Sequence, residues 1–395
     1  MPLDNNKIQR LRSDVPALKN QIYVNWGGGG PSSKSILREM DKFTKRDLEL
    51  GSFHPTIRHE TSKALKRTRE SCAKLIGAEA SEIALTNNTT VGINLAAAGL
   101  TWNPGDEVIV SDLEHPGGYL PWLVWRKRNP IKVKLFKTGQ NDDQLLRNLE
   151  KAITPKTRVV CVSHITWLNG RRLPLEAIGE ICVSAGALLI VDGAQSVGHI
   201  PVKIKDTGVD VYTISGQKWL MGPDGTGAVY IRRGAGKKIQ LSSASFRSAQ
   251  KKSLKTLSFT PEPSAMRYEV GTLNTPGFIG FRTAVEQFKR TGPISIEKRI
   301  LALANRLLSQ IRPIKNVEVI TPEGEAQSGL VSFRIHGVES QKVVDRLYRK
   351  YQIILRAVIT EPPAVRVSIH YLNTEDEMDS IANAIDAITA GRKKG

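Results

Sequence analysis

Short apolar runs alternate with helix-forming segments between residues 56 and 230, and this alternation constrains the fold more than any other feature. Seven of the runs are strand candidates, at 82–86, 107–110, 131–136, 158–163, 187–192, 209–215 and 227–233. Helical periodicity lies between them, at 56–76, 89–100, 117–129, 143–152 and 174–185. Several runs are apolar without interruption, which is typical of strands that helices cover on both faces. We predict an α/β fold with a seven-stranded, mainly parallel sheet.

The pattern changes in the last third of the chain. Two helical segments, at 278–291 and 294–312, precede strand candidates at 317–320 and 329–335. A helix at 339–350, strand candidates at 353–357 and 364–369, and a final helix at 375–389 follow. This order predicts a smaller α+β domain with an antiparallel sheet. We therefore expect a large domain over 20–275 and a small C-terminal domain over 276–395, which also includes 1–19. The polar, serine-rich stretch 234–268 predicts a long surface loop.

The 395 residues carry a formal net charge of +19, which is a known feature of nucleic-acid binders. Lys and Arg are spread along the chain, however, with modest clusters at 126–137, 247–255 and 391–395, and no zinc-finger spacing accompanies them. We expect a solvated basic surface and no nucleic-acid partner. The sequence shows neither an apolar run of roughly 18 residues nor a secretory signal, so we expect no membrane partner and a cytoplasmic location.

The three cysteines, Cys72, Cys161 and Cys182, are too few and too scattered for a disulfide framework or a metal site. Cys161 lies in the apolar run VVCVSH and is interpreted as a small buried hydrophobic residue. We therefore predict no metal site.

The strongest chemical signal lies in residues 191–227. One strand brings Asp192 to its carboxyl end, and the next brings Ser215, Gln217 and Lys218 to its own end. Ligands bind at such strand ends, so the carboxylate and the amine should share one crevice. A lysine in a dry pocket has a lowered pKa and becomes a nucleophile, whereas a carboxylate keeps a pyridinium nitrogen protonated. Alone, each would be a surface lysine or a helix cap; together they indicate a pyridoxal 5′-phosphate (PLP) site.

Other residues are candidates for the same crevice. Thr89 and Thr90 open a helix, where hydroxyls and free N–H groups bind phosphate, although capping also explains one of them. His115 follows another strand, and its ring would either stack on a flat ligand or face solvent. Arg356 and Arg366 lie on short strands, where a fixed guanidinium can bind a carboxylate, although surface arginines are common.

The motifs DGAQS, SGQKW and GPDGTG resemble the class V aminotransferase group of fold-type I PLP enzymes, which includes cysteine desulfurases and cysteine/cystine C–S lyases. The likeness runs from NWGGGG at 25–30 to residue 377. It implies that Lys218 carries PLP as a Schiff base and moves protons at the substrate Cα. It also implies that Asp192 contacts the pyridinium nitrogen, Gln195 the phenolic oxygen and His115 the ring face.

The resemblance extends to the phosphate and the partner subunit. The implied phosphate ligands are Thr89, Thr90, Ser215 and Gln217, the last in place of the family's usual histidine. Thr272 is implied to reach the phosphate of the neighbouring subunit, because family active sites lie at a homodimer interface. Active sites shared within a homodimer are therefore expected.

On the substrate side, the resemblance implies Arg366 as the ligand of the α-carboxylate, with Arg356, Trp167 and Gly28 around the substrate. Cysteine desulfurases need a mobile cysteine before this arginine, and the matching stretch LRAVITEPPAVRVS has none. The likeness is therefore closest to the C–S lyases, in which a tryptophan matches Trp167, although Trp167 would also suit a core.

The expected reaction is β-elimination on L-cysteine, L-cystine or a cysteine conjugate, giving pyruvate, ammonia and a thiol or persulfide. Transamination, epimerisation and a residual desulfurase activity are alternatives on the same cofactor. A basic binding protein without catalysis is the alternative from another class. The intact pair of Lys218 and Asp192 argues against it.

Overall fold

In a computed structural model of the chain, residues 3–324, 327–359 and 363–390 are described. The α-helices are α1 (Asn5–Ser13), α2 (Lys34–Leu50), α3 (Pro55–Ile76), α4 (Thr89–Gly99), α5 (Pro116–Arg128), α6 (Asp142–Ala152), α7 (Leu175–Ser184), α8 (Thr275–Thr291), α9 (Pro293–Ile311), α10 (Ser340–Tyr351) and α11 (Glu375–Ala390). The strands are β1 (Ile22–Tyr23), β2 (Ile83–Thr86), β3 (Glu107–Ser111), β4 (Lys132–Phe136), β5 (Thr157–Ser163), β6 (Leu188–Asp192), β7 (Val211–Ser215), β8 (Gly227–Ile231), β9 (Ala249–Ser253), β10 (Ser258–Pro261), β11 (Val317–Val319), β12 (Leu330–Ile335), β13 (Ile353–Ile354), β14 (Arg356–Val358) and β15 (Ala364–Ser368).

The predicted seven-stranded sheet is confirmed. Its order is β2-β8-β7-β6-β5-β3-β4, and neighbouring strands from β7 to β4 are parallel. Only β8 runs against its two neighbours. Most of these strands are buried along their whole length, because apolar clusters cover the sheet on both faces. The carboxyl ends of β3, β5, β6 and β7 therefore lie along one edge, where a ligand site is expected.

The C-terminal part forms an antiparallel sheet of order β11-β12-β15-β14, as predicted. Its helices α9, α10 and α11 pack with it around a separate apolar cluster. Ile8 and Val15, near the N-terminus, belong instead to the cluster of the large sheet. The exact division into 20–275 and 276–395 with 1–19 stays a prediction. Within the described residues, no helix is both long enough and apolar enough to cross a membrane.

Two sequence expectations need correction. The stretch 234–268 is not simply a loop, because β9 and β10 pair within it as an antiparallel hairpin. Its residues are mostly exposed, so no burial periodicity marked the strands. Helices α1 and α2 were also missed, although Asp4 and Ser33 cap them by accepting the N–H groups of Lys7 and Ile36. The basic cluster at 391–395 lies outside the described residues.

Candidate active site

Two neighbouring strands of the large sheet lead to an acid and an amine. Asp192 ends β6, is 4 % exposed, and accepts the Ala194 N–H on Oδ1 at 2.9 Å. Burial raises the pKa of Asp192, and the Lys218 charge opposes that shift. Burial also lowers the pKa of Lys218 to about 8, an effect that Asp192 opposes and Arg366 reinforces. A lysine amine with this pKa can act as a base near neutral pH.

His115 is held as a neutral ring beside this pair. Its Nδ1 accepts the Gly117 N–H at 3.0 Å at the start of α5, which leaves the ring proton on Nε2. The Trp167 ring meets it edge-on, with centroids 4.9 Å apart and an interplanar angle of 85°. Burial lowers the pKa of His115 to about 4, and the Lys218 charge contributes to this shift. A fixed, uncharged imidazole is suited to stacking on a flat ligand.

The buried guanidinium of Arg366 has unused hydrogen-bond donors. Arg366 is 1 % exposed on β15, and its Nη1 donates to the Trp167 carbonyl at 2.8 Å. Among the described residues, its Nε and Nη2 have no hydrogen-bond partner. Leaving buried N–H groups of a cation unpaired is costly, so these two donors mark a place for an anionic ligand. A carboxylate accepts two such N–H groups at once.

A second arginine lies beside the first. Arg356 on β14 is directly opposite Arg366 in the antiparallel register, and its side chain is exposed. Burial, together with the Arg356 charge, lowers the pKa of Arg366 to about 9. Like charges directly opposite each other destabilise a sheet, and such unfavourable pairs are more typical of functional sites than of structural ones.

The predicted threonines lie where α4 begins. Thr89 is its first residue, is buried, and its hydroxyl favours the ionised form of Asp192 by lowering the pKa of that carboxyl. Thr90 is the next residue. Gly92 holds the helix against the sheet, because an added Cβ would lie 2.7 Å from the Thr213 side chain on β7. This packing places a helix N-terminus, with its free N–H groups, next to the Asp192 carboxylate.

Ser215 and Gln217 are joined to each other, since the Ser215 hydroxyl donates to Gln217 Oε1 at 2.8 Å. The Gln217 carbonyl accepts the Gly30 N–H at 2.7 Å, which ties the glycine-rich loop to the lysine loop. Thr272 is exposed on the segment before α8. Its predicted contact with a neighbouring subunit stays a prediction.

The glycine-rich loop passes closely over these groups. A Cβ at Gly27 would lie 2.7 Å from Gln195 Oε1 and 3.2 Å from Arg366 Nη2. At Gly28, the predicted substrate neighbour, the nearest atoms belong instead to Asn25, at 2.7 Å. Gly27 therefore allows Gln195 and Arg366 to approach the same stretch of backbone, whereas the single glycine predicted beside the substrate was Gly28.

Glu114 is a further buried acid that sequence reasoning missed. It is 7 % exposed, and its carboxylate accepts the Ser111 hydroxyl at 2.5 Å, the Ser163 N–H at 2.8 Å and the Ser163 hydroxyl at 2.7 Å. It thereby joins the carboxyl ends of β3 and β5 directly before His115. Burial raises the pKa of Glu114 to about 7, although these hydrogen bonds oppose the shift. The sequence feature that could have identified Glu114 is its position between the end of a predicted strand and His115.

Replacing Glu114 by glutamine should alter how stability depends on pH. The raised pKa means that the folded protein keeps a proton that the unfolded chain releases above about pH 4.5, so wild-type stability falls as pH rises toward 7. From pH 5 to pH 8 the unfolding free energy of the wild type should fall by roughly 2–3 kcal/mol more than that of the Glu114→Gln protein. Denaturant unfolding at both pH values measures this difference. Identical pH dependence in the two proteins would contradict it.

The chain matches known proteins over almost its entire length. The sequence model of the Aminotransferase class-V family matches residues 23–381. A probable cysteine desulfurase of Methanothermobacter thermautotrophicus is 28 % identical, over 97 % of this chain and 98 % of that protein. The isopenicillin N epimerase of Streptomyces clavuligerus is 27 % identical, over 93 % of this chain and 95 % of that protein.

Solved structures give the same picture. The cystine C–S lyase C-DES, in complex with its reaction product cysteine persulfide, has a TM-score of 0.89 and 27 % identity, covering 94 % of this chain and 99 % of that chain. The apo cysteine desulfurase of Thermococcus onnurineus NA1 also has a TM-score of 0.89, with 26 % identity, covering 97 % of this chain and 98 % of that chain. The chain belongs to the class-V aminotransferase family, whose cofactor is PLP. The predicted family, fold and cofactor are therefore confirmed.

The arrangement of the residues fits this cofactor. PLP has a ring nitrogen that needs an acid, an aldehyde that needs an amine and a phosphate that needs donors. Asp192 and Lys218 would supply the first two within one crevice, and the start of α4 would supply N–H groups and hydroxyls. The two donors of Arg366 that have no partner among the described residues are suited to a carboxylate.

Proposed function

We propose that this chain catalyses β-elimination at a C–S bond of L-cystine, L-cysteine or a cysteine conjugate, giving pyruvate, ammonia and a persulfide or thiol. The observation that carries the proposal is the state of the thiols. The sequence has three cysteines, and all are buried. Burial raises the pKa of Cys72 and Cys182 to about 12 and that of Cys161 well above its ordinary value. A desulfurase requires a reactive thiolate to take the sulfur, and none of these thiols is suited to that role.

The geometry supports the cofactor-binding roles that the family resemblance implies. Lys218 would hold PLP, Asp192 would keep its ring nitrogen protonated, and His115 would stack on the ring. Gln195 would donate to the phenolic oxygen. The phosphate would be bound by Thr89, Thr90, Ser215 and Gln217. When bound, PLP supplies an electron sink for charge that develops at the substrate Cα.

The protein's own groups would bind the substrate carboxylate, take the Cα proton and exclude water. Arg366 Nε and Nη2 bind the substrate carboxylate and fix the Cα beside Lys218. The Lys218 amine, with its pKa lowered to about 8, takes the Cα proton. Trp167 and Gly27 close the crevice against water on either side of Arg366.

A homodimer in the cytoplasm completes the proposal. Thr272 is exposed on a segment next to the exposed Val270, 51 % accessible, so this segment is available to a second copy of the chain. We infer that Thr272 donates to the phosphate bound by that copy.

Arg356 should select substrates with a second anionic group. It is exposed directly opposite Arg366, so a substrate held by Arg366 that carries a distal carboxylate, such as L-cystine, can reach both cations. We expect Arg356→Gln to raise KM for L-cystine about fivefold, the effect of one exposed ion pair, and to leave KM for S-methyl-L-cysteine unchanged. Steady-state kinetics with both substrates measures this, and equal effects on the two would contradict the role.

The proposal is tested in deuterated water with L-cystine and the PLP-loaded protein. Elimination gives pyruvate and ammonia. Epimerisation, which the similarity to isopenicillin N epimerase favours as the second candidate, gives deuterated and racemised amino acid instead. Transamination gives a stable pyridoxamine spectrum, and desulfuration gives alanine. Any of the last three as the main product would replace the proposed reaction.

A further inference from the structure

Trp219 holds the side chain of Gln195 in one orientation. Trp219 is 1 % exposed, and its indole Nε1 donates to Gln195 Oε1 at 2.9 Å. An indole N–H can only donate, so it must meet the amide oxygen and never the amide NH₂. The indole N–H therefore favours the orientation in which the Gln195 amide oxygen, and not its NH₂ group, faces Trp219.

At the other end of the same amide, one hydrogen has no partner among the described residues. Gln195 Nε2 donates to the Gly27 carbonyl at 2.9 Å, and an NH₂ group has two hydrogens. Gln195 is 4 % exposed, so the remaining N–H is directed within the buried site or its crevice. It is available to an acceptor on a bound ligand.

His199 keeps Trp219 in place. The two rings are stacked, with centroids 3.8 Å apart and an interplanar angle of 20°. His199 Nε2 accepts the Gly329 N–H at 2.7 Å, so its proton is on Nδ1, which donates to the Gln195 carbonyl at 2.8 Å. Burial lowers the pKa of His199 to about 3, so the ring stays neutral. Both the indole and the Gln195 backbone are thereby fixed by one imidazole.

We propose that Trp219 is a positioning residue, which fixes the Gln195 amide so that an N–H, rather than the amide oxygen, meets the phenolic oxygen of bound PLP. This inference rests on the proposed role of Gln195, and it is independent of which bond of the substrate is cleaved. A reversed amide would place a carbonyl dipole against an anionic oxygen and lose a charge-assisted hydrogen bond.

The proposal predicts a spectroscopic change. A donor to the phenolic oxygen stabilises its anionic form, so the linkage between Lys218 and PLP loses its proton more easily. Without the donor, the pH midpoint of the visible absorption change should rise by about one unit. The other charged or titratable groups around Lys218 are Asp192, His115, Arg356 and Arg366. The variants below leave all four unchanged.

Trp219→Phe keeps a ring in the stack and removes the N–H. Titrating the PLP-loaded protein between pH 6 and pH 10 should show a midpoint about one unit above that of the wild type. Trp122→Phe is the matched control, because Trp122 is fully buried in a different apolar cluster. It should leave the midpoint unchanged. An unshifted midpoint in Trp219→Phe, or an equal shift in both variants, would overturn the proposal.

Gln195→Glu is a second arm, which keeps Trp219 intact and so does not depend on the folding of the first variant. Its carboxylate still accepts the indole N–H, has no N–H for the phenolic oxygen and adds a negative charge, so the midpoint should rise by more than about one unit. Adding Trp219→Phe to Gln195→Glu should produce no further rise, because the donor that Trp219 would position is already absent in Gln195→Glu. A wild-type protein that titrates as described but yields no pyruvate would refute the proposed elimination alone. An unshifted midpoint in Gln195→Glu would overturn the role of Trp219.

Discussion

The Lys218→Ala protein is expected to lose the visible absorption of lysine-linked PLP and to eliminate at a rate lower by roughly 10⁴-fold or more. Both effects have one cause. The Lys218 amine lies beside Asp192 with a pKa lowered to about 8, so it can both hold the cofactor and take the Cα proton. Removing it deletes the attachment and the base together.

Lys156→Ala is the matched control for this prediction. Lys156 is exposed just before β5, at the opposite end of the strand from Ser163, so its removal should change neither the spectrum nor the rate. Absorption spectra and single-turnover rates with added PLP measure both variants. Retention of the visible band or of near wild-type turnover in Lys218→Ala would contradict the assigned role.

The Arg366→Lys protein is expected to keep its cofactor spectrum and to raise KM for amino-acid substrates about 30- to 150-fold. The buried guanidinium has two N–H groups, on Nε and Nη2, without a partner among the described residues. A lysine retains the charge but cannot present two parallel donors to a carboxylate. The loss of a charge-assisted, bidentate contact amounts to about 2–3 kcal/mol.

Arg334→Lys serves as its control. Arg334 lies on β12 in the same small sheet and forms a bidentate pair with Glu318, both N–O distances being 2.7 Å. This pair is more exposed than Arg366, so substrate kinetics should not change. A change of kcat without a change of KM in Arg366→Lys would show that the arginine does not bind the carboxylate.

The large sheet could be predicted because its strands are recognisable in the sequence as short apolar runs. Runs such as ALLIVD are buried on both faces, and uninterrupted apolar runs occur for that reason. The hairpin of β9 and β10 was missed because its side chains face solvent, so no apolar pattern accompanies it. Helix α2 buries only Ile36 and Phe43, which is too weak a stripe to recognise without its cap, Ser33.

The site was predictable where chemistry and strand ends coincide. Asp192 and Lys218 lie at the ends of adjacent strands. Burial raises the pKa of Asp192 and lowers that of Lys218, and the charge of each group opposes the shift of the other. Glu114, Gly27 and the orientation of Gln195 depend on contacts between residues that are distant in sequence. No local pattern encodes the approach of Ser163 to Glu114 or of Trp219 to Gln195, because packing alone brings them together.

The most direct test of the proposed elimination is to incubate the PLP-loaded protein with L-cystine and measure pyruvate and alanine in the same samples. The geometry of Lys218 and Arg366 and the burial of all three cysteines predict pyruvate with equimolar ammonia, no alanine, and no product from Lys218→Ala. Alanine as the main product, or no product despite a spectral change, would contradict C–S β-elimination as the function of this chain.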